Sequence, residues 1–152
     1  MHAPGLIRLA LAIAVFTGSG GPGWSVQSGE MAWLSGADIL RRFRNATLEG
    51  RYASGKSFVE RYDANGRLSY SEEGLTIGGH WSVTAGTLCT IYDEDTTGGC
   101  YRVARVDQNC YEFYFVSRTE ETAPGPTGGR PRWTARGALR GQPSACRDDP
   151  SV

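Results

Sequence analysis

The sequence predicts a mainly β (α+β) domain: a short N-terminal helix packed on an antiparallel meander that forms a small barrel or a curved sheet, linked by disulfides. Three observations predict it. From Thr47 onward the apolar pattern runs at a period of two through about eight short segments at roughly ten-residue spacing, joined mostly by hairpin-length turns. Ahead of them, Ile39, Leu40 and Phe43 form an apolar stripe at helical spacing. Four cysteines, Cys89, Cys100, Cys110 and Cys146, all lie in the second half of the 152-residue chain.

The N-terminal residues 1–25 read as a signal peptide. Arg8 precedes the apolar run Leu9 to Phe16, and the small residues Thr17-Gly18-Ser19-Gly20 follow it. A run of that length suits an export signal and is too short to span a bilayer. Cleavage after Ser25 or after Gly20 places a small residue at the cut. Residues 26–34 read as a flexible leader, 35–146 as a single β-rich domain and 147–152 as a tail. Loss of Arg8 leaves fifteen basic against sixteen acidic side chains, a net charge of −1. That balance supplies no bulk attraction to nucleic acid or to an anionic membrane.

Helix and strands follow in order. Ser35 is placed to cap the first turn and Asp38 to reach back to it, which predicts a helix of about ten residues ending near Asn45. Trp33 or Leu34 is placed to pack back on it. Leu48 to Tyr52 and Ser57 to Tyr62 alternate, and Asp63-Ala64-Asn65-Gly66 turns the chain, with Asn65-Gly66 supplying positive φ angles. Arg67 to Tyr70 returns. Leu75 to Val83 is a strand in which Gly78-Gly79 predicts a bulge or bend. Thr87 to Tyr92, Cys100 to Val106, Cys110 to Val116 and Arg132 to Leu139 complete the set. Trp81, Val83, Tyr101, Val103, Tyr111, Phe113 and Phe115 mark the expected core face.

An even number of cysteines behind an export signal implies disulfides. Cys89 and Cys100 face each other if the hairpin folds at Glu94-Asp95, so the favoured scheme joins Cys89 to Cys100 and Cys110 to Cys146. On the chain-entropy model the two bridges are worth roughly 3 and roughly 4 kcal/mol. The alternatives pair Cys100 with Cys110 and Cys89 with Cys146, or Cys89 with Cys110 and Cys100 with Cys146. A zinc site fits less well, since no C-x-x-C pair occurs and His80 is the only histidine of the mature chain.

Candidate chemistry is sparse. His80 and Ser82 share a strand face but lack the setting of a nucleophile elbow. Asp93, Glu94 and Asp95 form an acidic loop with oxygen ligands of a kind that suits calcium, without the spacing of a calcium loop. The same three residues are the expected binding loop. Glu72-Glu73 and Glu120-Glu121 are adjacent acids that point to opposite faces of a strand. Arg102, Arg105, Arg130, Arg132, Arg136 and Arg140 form a basic series that reads as a solvated face. The tyrosines and tryptophans read first as core and second as the lining of a ligand cavity.

The segments Leu34-Ser35-Gly36-Ala37-Asp38-Ile39, Gly79-His80-Trp81-Ser82-Val83, Leu88-Cys89 and Cys100-Tyr101-Arg102-Val103 together resemble a group of small exported proteobacterial proteins of unknown function. That resemblance covers about residues 33 to 116 and implies export and a β-rich domain, with no catalytic residues attached. Gly79-His80-Trp81 also resembles the G-x-W signature of lipocalins, which belongs to the first strand there and lies mid-chain here. The expectation is an exported, non-enzymatic binding or accessory protein of the bacterial envelope, periplasmic or secreted, without cofactor or metal. Its expected partner is a protein or small-molecule ligand of the envelope, with no nucleic acid and no membrane span in the mature chain. The alternatives are an inhibitor presenting the acidic loop to a secreted or periplasmic enzyme, or an envelope hydrolase with two acids about 5–10 Å apart.

Overall fold

The computed structural model describes residues 31–94, 98–117 and 132–146. The expected signal peptide, Asp95, Glu120-Glu121, Arg130 and the tail from residue 147 lie outside the described residues. One helix and nine strands follow in the order β1 (Ala32–Trp33), α1 (Gly36–Phe43), β2 (Ala46–Tyr52), β3 (Ser57–Tyr62), β4 (Arg67–Glu72), β5 (Leu75–Thr84), β6 (Thr87–Tyr92), β7 (Gly98–Asp107), β8 (Cys110–Ser117) and β9 (Ala135–Leu139). From β2 to β9 each strand pairs antiparallel with the next, and β9 pairs back on β2. The result is a closed up-and-down barrel of eight strands.

The turns follow from their residues. Gly66 N–H donates to the Asp63 carbonyl, and Gly66 alone takes the positive φ at that turn, giving a three-residue hairpin in place of the two positive angles expected at Asn65-Gly66. Glu73-Gly74 and Ala85-Gly86 each carry two consecutive positive φ angles, as two-residue hairpins of the favoured twist require. Gly78-Gly79 makes no bulge. The register runs through both residues against β4 and through Gly79 against β6, with the Asp93 N–H donating to the Gly78 carbonyl, and the glycines serve close approach instead. A Cβ on Gly79 would stand 2.4 Å from the Ile91 carbonyl oxygen, and one on Gly78 would stand 2.8 Å from the Asp93 carboxylate. The register shifts occur between β7 and β8, at Cys100/Tyr101 and Arg105/Asp107.

The helix closes one end of the barrel. Ser35 Oγ accepts from the Asp38 backbone N–H and the Asp38 carboxylate accepts from the Ser35 backbone N–H, so the expected cap is present. The helix runs eight residues and stops earlier than expected, with Asn45 at positive φ and its side chain accepting from the Ala64 backbone. Ile39 and Phe43 are fully buried, and Phe43 meets Tyr62, Tyr111 and Phe113 edge to face at 5.4–5.9 Å. Such ring pairs add about 0.5–1.5 kcal/mol each beyond area burial.

The leader expected to be flexible through residue 34 is ordered at its end. β1 pairs with Ala104 and Arg105 of β7, and Leu34 N–H donates to the Val103 carbonyl. The physical reason is that β6 pairs with β7 only as far as Tyr101, which leaves the rest of that edge of β7 to be covered. Trp33 then packs edge-on to Tyr114 at 5.1 Å, with the Arg102 guanidinium 3.9 Å above its ring. Among the described residues, no helix is long and apolar enough to cross a membrane.

Both favoured disulfides are present. Cys89 and Cys100 are register partners in the β6–β7 hairpin, and Cys110 at the start of β8 holds Cys146. Two bridges fit an oxidising compartment. The segment around Cys146 is tied further by Asn109, whose side chain donates to the Leu139 and Gln142 carbonyls and accepts from Leu139 N–H. Loss of Cys110–Cys146 in a Cys110→Ser/Cys146→Ser chain should lower the unfolding free energy by roughly 2–4 kcal/mol, read by denaturant titration.

Two glycines face each other where β2 meets β9. Gly50 and Gly137 are register partners, and the Phe58 ring lies over Gly50, 2.4 Å from where a Cβ would stand. A Gly50→Ala substitution should therefore cost roughly 1–3 kcal/mol through overpacking. Phe58→Leu in the same chain should recover part of that loss, measured by thermal unfolding of the single and double variants.

Candidate functional site

Alternation decides what faces the lumen. On β3 the inward set is Phe58, Glu60 and Tyr62, and on β6 it is Leu88, Thr90 and Tyr92; all are buried except the partly exposed Tyr92. Leu48, Tyr62, Leu88 and Phe113 fill the part of the barrel nearer the helix. Toward the far end the lining becomes aromatic: Tyr52 tilts on Phe58 at 4.6 Å, Phe58 stacks near Tyr70 at 6.1 Å, and Tyr70 tilts on Tyr92 at 5.2 Å. Within this belt lies a cavity of about 30 Å³ touched by Glu60, Thr90, Tyr92 and Tyr101.

Glu60 is the unusual member. It is 6% exposed, and its carboxylate accepts from Tyr62 Oη at 2.5 Å and from Tyr92 Oη at 2.9 Å. Among the described residues it forms no ion pair; its hydrogen-bond partners are neutral hydroxyls. Burial raises its carboxyl above the ordinary value, and the two tyrosine hydrogen bonds oppose that only in part. The same burial raises the tyrosines: Tyr52 is pushed up to about 12, and Tyr62 and Tyr92 rise further, with the Glu60 charge adding to the effect.

Thr90 is the second. It is 8% exposed and its Oγ1 makes no hydrogen bond of normal geometry; it lies beside the Tyr92 hydroxyl, on which it acts as a weak hydrogen-bonding contact that opposes the upward shift of that tyrosine. A buried hydroxyl without a partner carries a desolvation cost of roughly 1–3 kcal/mol. Glu60 and Thr90 thus bring unmet polar capacity to one small cavity.

Nearer the rim, Tyr52 Oη donates to Tyr70 Oη at 3.0 Å, and Tyr70 Oη donates to the Glu72 carboxylate, which also meets Lys56 Nζ at 3.1 Å. The Tyr70 hydrogen bond, then Lys56, holds the Glu72 carboxyl below its ordinary value.

The residues singled out from sequence fall elsewhere. Asp93 sits on the outer wall, its Oδ2 2.8 Å from Arg67 Nη2 and its Oδ1 3.7 Å from His80 Nε2. His80 Nε2 lies 2.7 Å from Arg67 Nη1, so the ring nitrogen facing the guanidinium accepts. His80 and Ser82 are both exposed, Glu94 is exposed beside Asp93, and Glu73 joins Glu72 on Lys56, its Oε2 3.5 Å from Lys56 Nζ. No group of three or more His, Cys, Asp or Glu side chains able to hold a metal occurs among the described residues. Phe115, expected in the core, is 48% exposed, because it lies at the far end of β8 where its ring covers Gly99.

Three of the arginines expected on a solvated face have specific partners. Arg136 binds the buried Glu112 at 2.5 Å and lies over Trp133, Arg140 binds Glu49, and Arg102 covers Trp33. A groove of about 620 Å³ along β2, β3 and β9 is larger than the luminal cavity. Two of its charged side chains, Glu49 and Arg136, are already paired, whereas the luminal cavity is bordered by the buried, unpartnered Thr90 Oγ1; the other buried side-chain atom without a partner among the described residues is Arg42 Nε, on the helix. Sequence reading missed Glu60; its signal was a glutamate placed between Phe58 and Tyr62 on an otherwise apolar face.

A Glu60→Gln variant tests this electrostatic picture. Because the folded chain binds the Glu60 proton more tightly than the unfolded chain, the stability it contributes is full below its ordinary value of 4.5 and is lost as pH rises through the raised folded value. The variant has no such titration. Its stability relative to wild type should rise as the pH climbs above 4.5, read from denaturant midpoints across a pH series.

Compared with known proteins, the chain matches no family model, no curated protein and no solved structure.

Proposed function

We propose that this is an exported small-ligand-binding protein of the bacterial envelope, working in the periplasm or outside the cell, whose ligand occupies the aromatic half of the barrel lumen. The observation that carries this reading is the luminal cavity itself, where Thr90 Oγ1 has no partner and Glu60 is buried without a counter-charge. An eight-stranded barrel is wide enough for side chains or for one small ligand. Here one end is packed with Phe43 and its ring neighbours, while the other carries tyrosines whose hydroxyls and faces both suit recognition. Export is supported by the apolar N-terminal run and by the two disulfides.

An inhibitor acting through the acidic loop has less support, since Asp93 is tied to Arg67. A hydrolase is the second reading, favoured by one observation. Glu60 and Glu72 lie on inward-facing positions of neighbouring strands, and their surroundings push their carboxyls in opposite directions. It predicts turnover of glycosidic or ester substrates that disappears in the Glu60→Gln variant.

The binding reading is tested with oxidised protein purified from the periplasmic fraction, where the mature N-terminus should follow Ser25 or Gly20. Small aromatic and alkyl probes should raise the melting temperature and perturb tyrosine fluorescence. A Thr90→Leu variant, which fills the cavity, should stay folded and lose the response. If the response survives that substitution, or no probe produces one, the luminal reading fails.

A further inference from the structure

We infer that the luminal site takes a primary ammonium group carrying a short apolar or aromatic tail, with Glu60 as its counter-charge and Thr90 Oγ1 as a second acceptor; this rests on the luminal binding reading and specifies its ligand class. The argument starts from what is unmet. A buried carboxylate is ordinarily paired with a cation, yet Glu60 meets only the hydroxyls of Tyr62 and Tyr92. Each of its oxygens accepts one of those bonds, and a carboxylate has about four acceptor sites, so capacity remains on both oxygens. Thr90 Oγ1, equally buried and without a partner, borders the same cavity.

Size and surroundings narrow the class. The cavity is about 30 Å³, enough for a small polar head group of the size of one or two waters. An –NH₃⁺ head is close to water in size and carries three donors, which match the carboxylate and the threonine hydroxyl. A quaternary ammonium has no N–H to offer the carboxylate and the hydroxyl. The belt of Tyr52, Phe58, Tyr70 and Tyr92 then supplies ring faces for the cation and apolar area for the tail. A bare alkali ion gains little from that belt, and a carboxylate ligand meets repulsion from Glu60.

The experiment compares 2-phenylethylamine with its neutral counterpart 2-phenylethanol by isothermal titration on the full oxidised protein, in choline chloride and in sodium chloride. The amine should bind at least about tenfold more tightly than the alcohol, a difference of about 1.4 kcal/mol. Glu60→Gln should remove most of that preference while leaving alcohol binding in place, and Thr90→Val should weaken the amine by a smaller factor. Equal binding of amine and alcohol to the wild-type protein overturns the ammonium assignment and leaves luminal binding standing. Failure of both probes to bind removes the assignment together with the luminal reading. Heat evolved with sodium chloride alone, abolished by Glu60→Gln, also overturns the assignment, because the site then serves an alkali ion. The wild-type comparison decides the question even if Glu60→Gln fails to fold.

Discussion

Eight strands that pair in sequence order leave two bare edges unless the first meets the last, and here β2 and β9 join through five register pairs from Leu48–Leu139 to Tyr52–Ala135. That seam is what turns a meander into an enclosed lumen, and most other features of the fold serve or follow from it. Gly50 and Gly137 thin the wall at the seam so that Phe58 can lie across it, which no larger residue there permits. The segment beyond β9 is anchored by Cys146 on Cys110 and by Asn109, so the last strand is held from both sides. An open sheet of the same strands would expose the inward set and leave Glu60 in water, with no reason for a raised carboxyl.

Closure creates a lumen of two unlike halves. Near α1, Phe43 and its three ring neighbours pack as an ordinary core and account for rigidity. Toward the far end the same alternation brings tyrosines inward, and their hydroxyls form short chains ending on Glu60 and Glu72. A buried polar network of this kind is costly where it is not fully satisfied, and the unpartnered Thr90 Oγ1 marks that place. Burial that destabilises the charged form of Glu60 is the same burial that would strengthen its attraction for a cation, so one arrangement lowers stability and sharpens recognition.

Local signals were legible wherever a few neighbouring residues decide the outcome. The capping pair Ser35 and Asp38, the turn at Asp63–Gly66 and the Cys89–Cys100 register all follow from short-range chemistry and from strand periodicity. The misjudged elements share a different character. Gly78-Gly79 looked like a bulge because glycine in a strand usually marks one, but the reason for it lies across the sheet, in the Ile91 carbonyl and the Asp93 side chain. β1 looked like loose leader because its partner edge exists only after β6 has turned away from β7. Phe115 alternates correctly yet lies at the rim, since position along a strand sets depth in a barrel.

By itself the sequence determined the class of fold, the approximate places of the helix and of β2 to β9, and the facing of Cys89 and Cys100, because period-two patterning, turn residues and hairpin register act over a few residues at a time. It only favoured Cys110–Cys146 among three schemes, and the tertiary structure decided that bridge. It also carried the export expectation in the apolar run before residue 25. Which side chains share the lumen was decided by tertiary structure alone. Glu60, Thr90 and Tyr92 come from β3 and β6, which lie apart in the sheet order, and only the curvature that closes β2 on β9 turns those strands' inner faces toward one another. A glutamate between Phe58 and Tyr62 becomes a buried acceptor for that reason, while the acidic residues more conspicuous in the sequence, Asp93 and Glu94, remain on the outer surface.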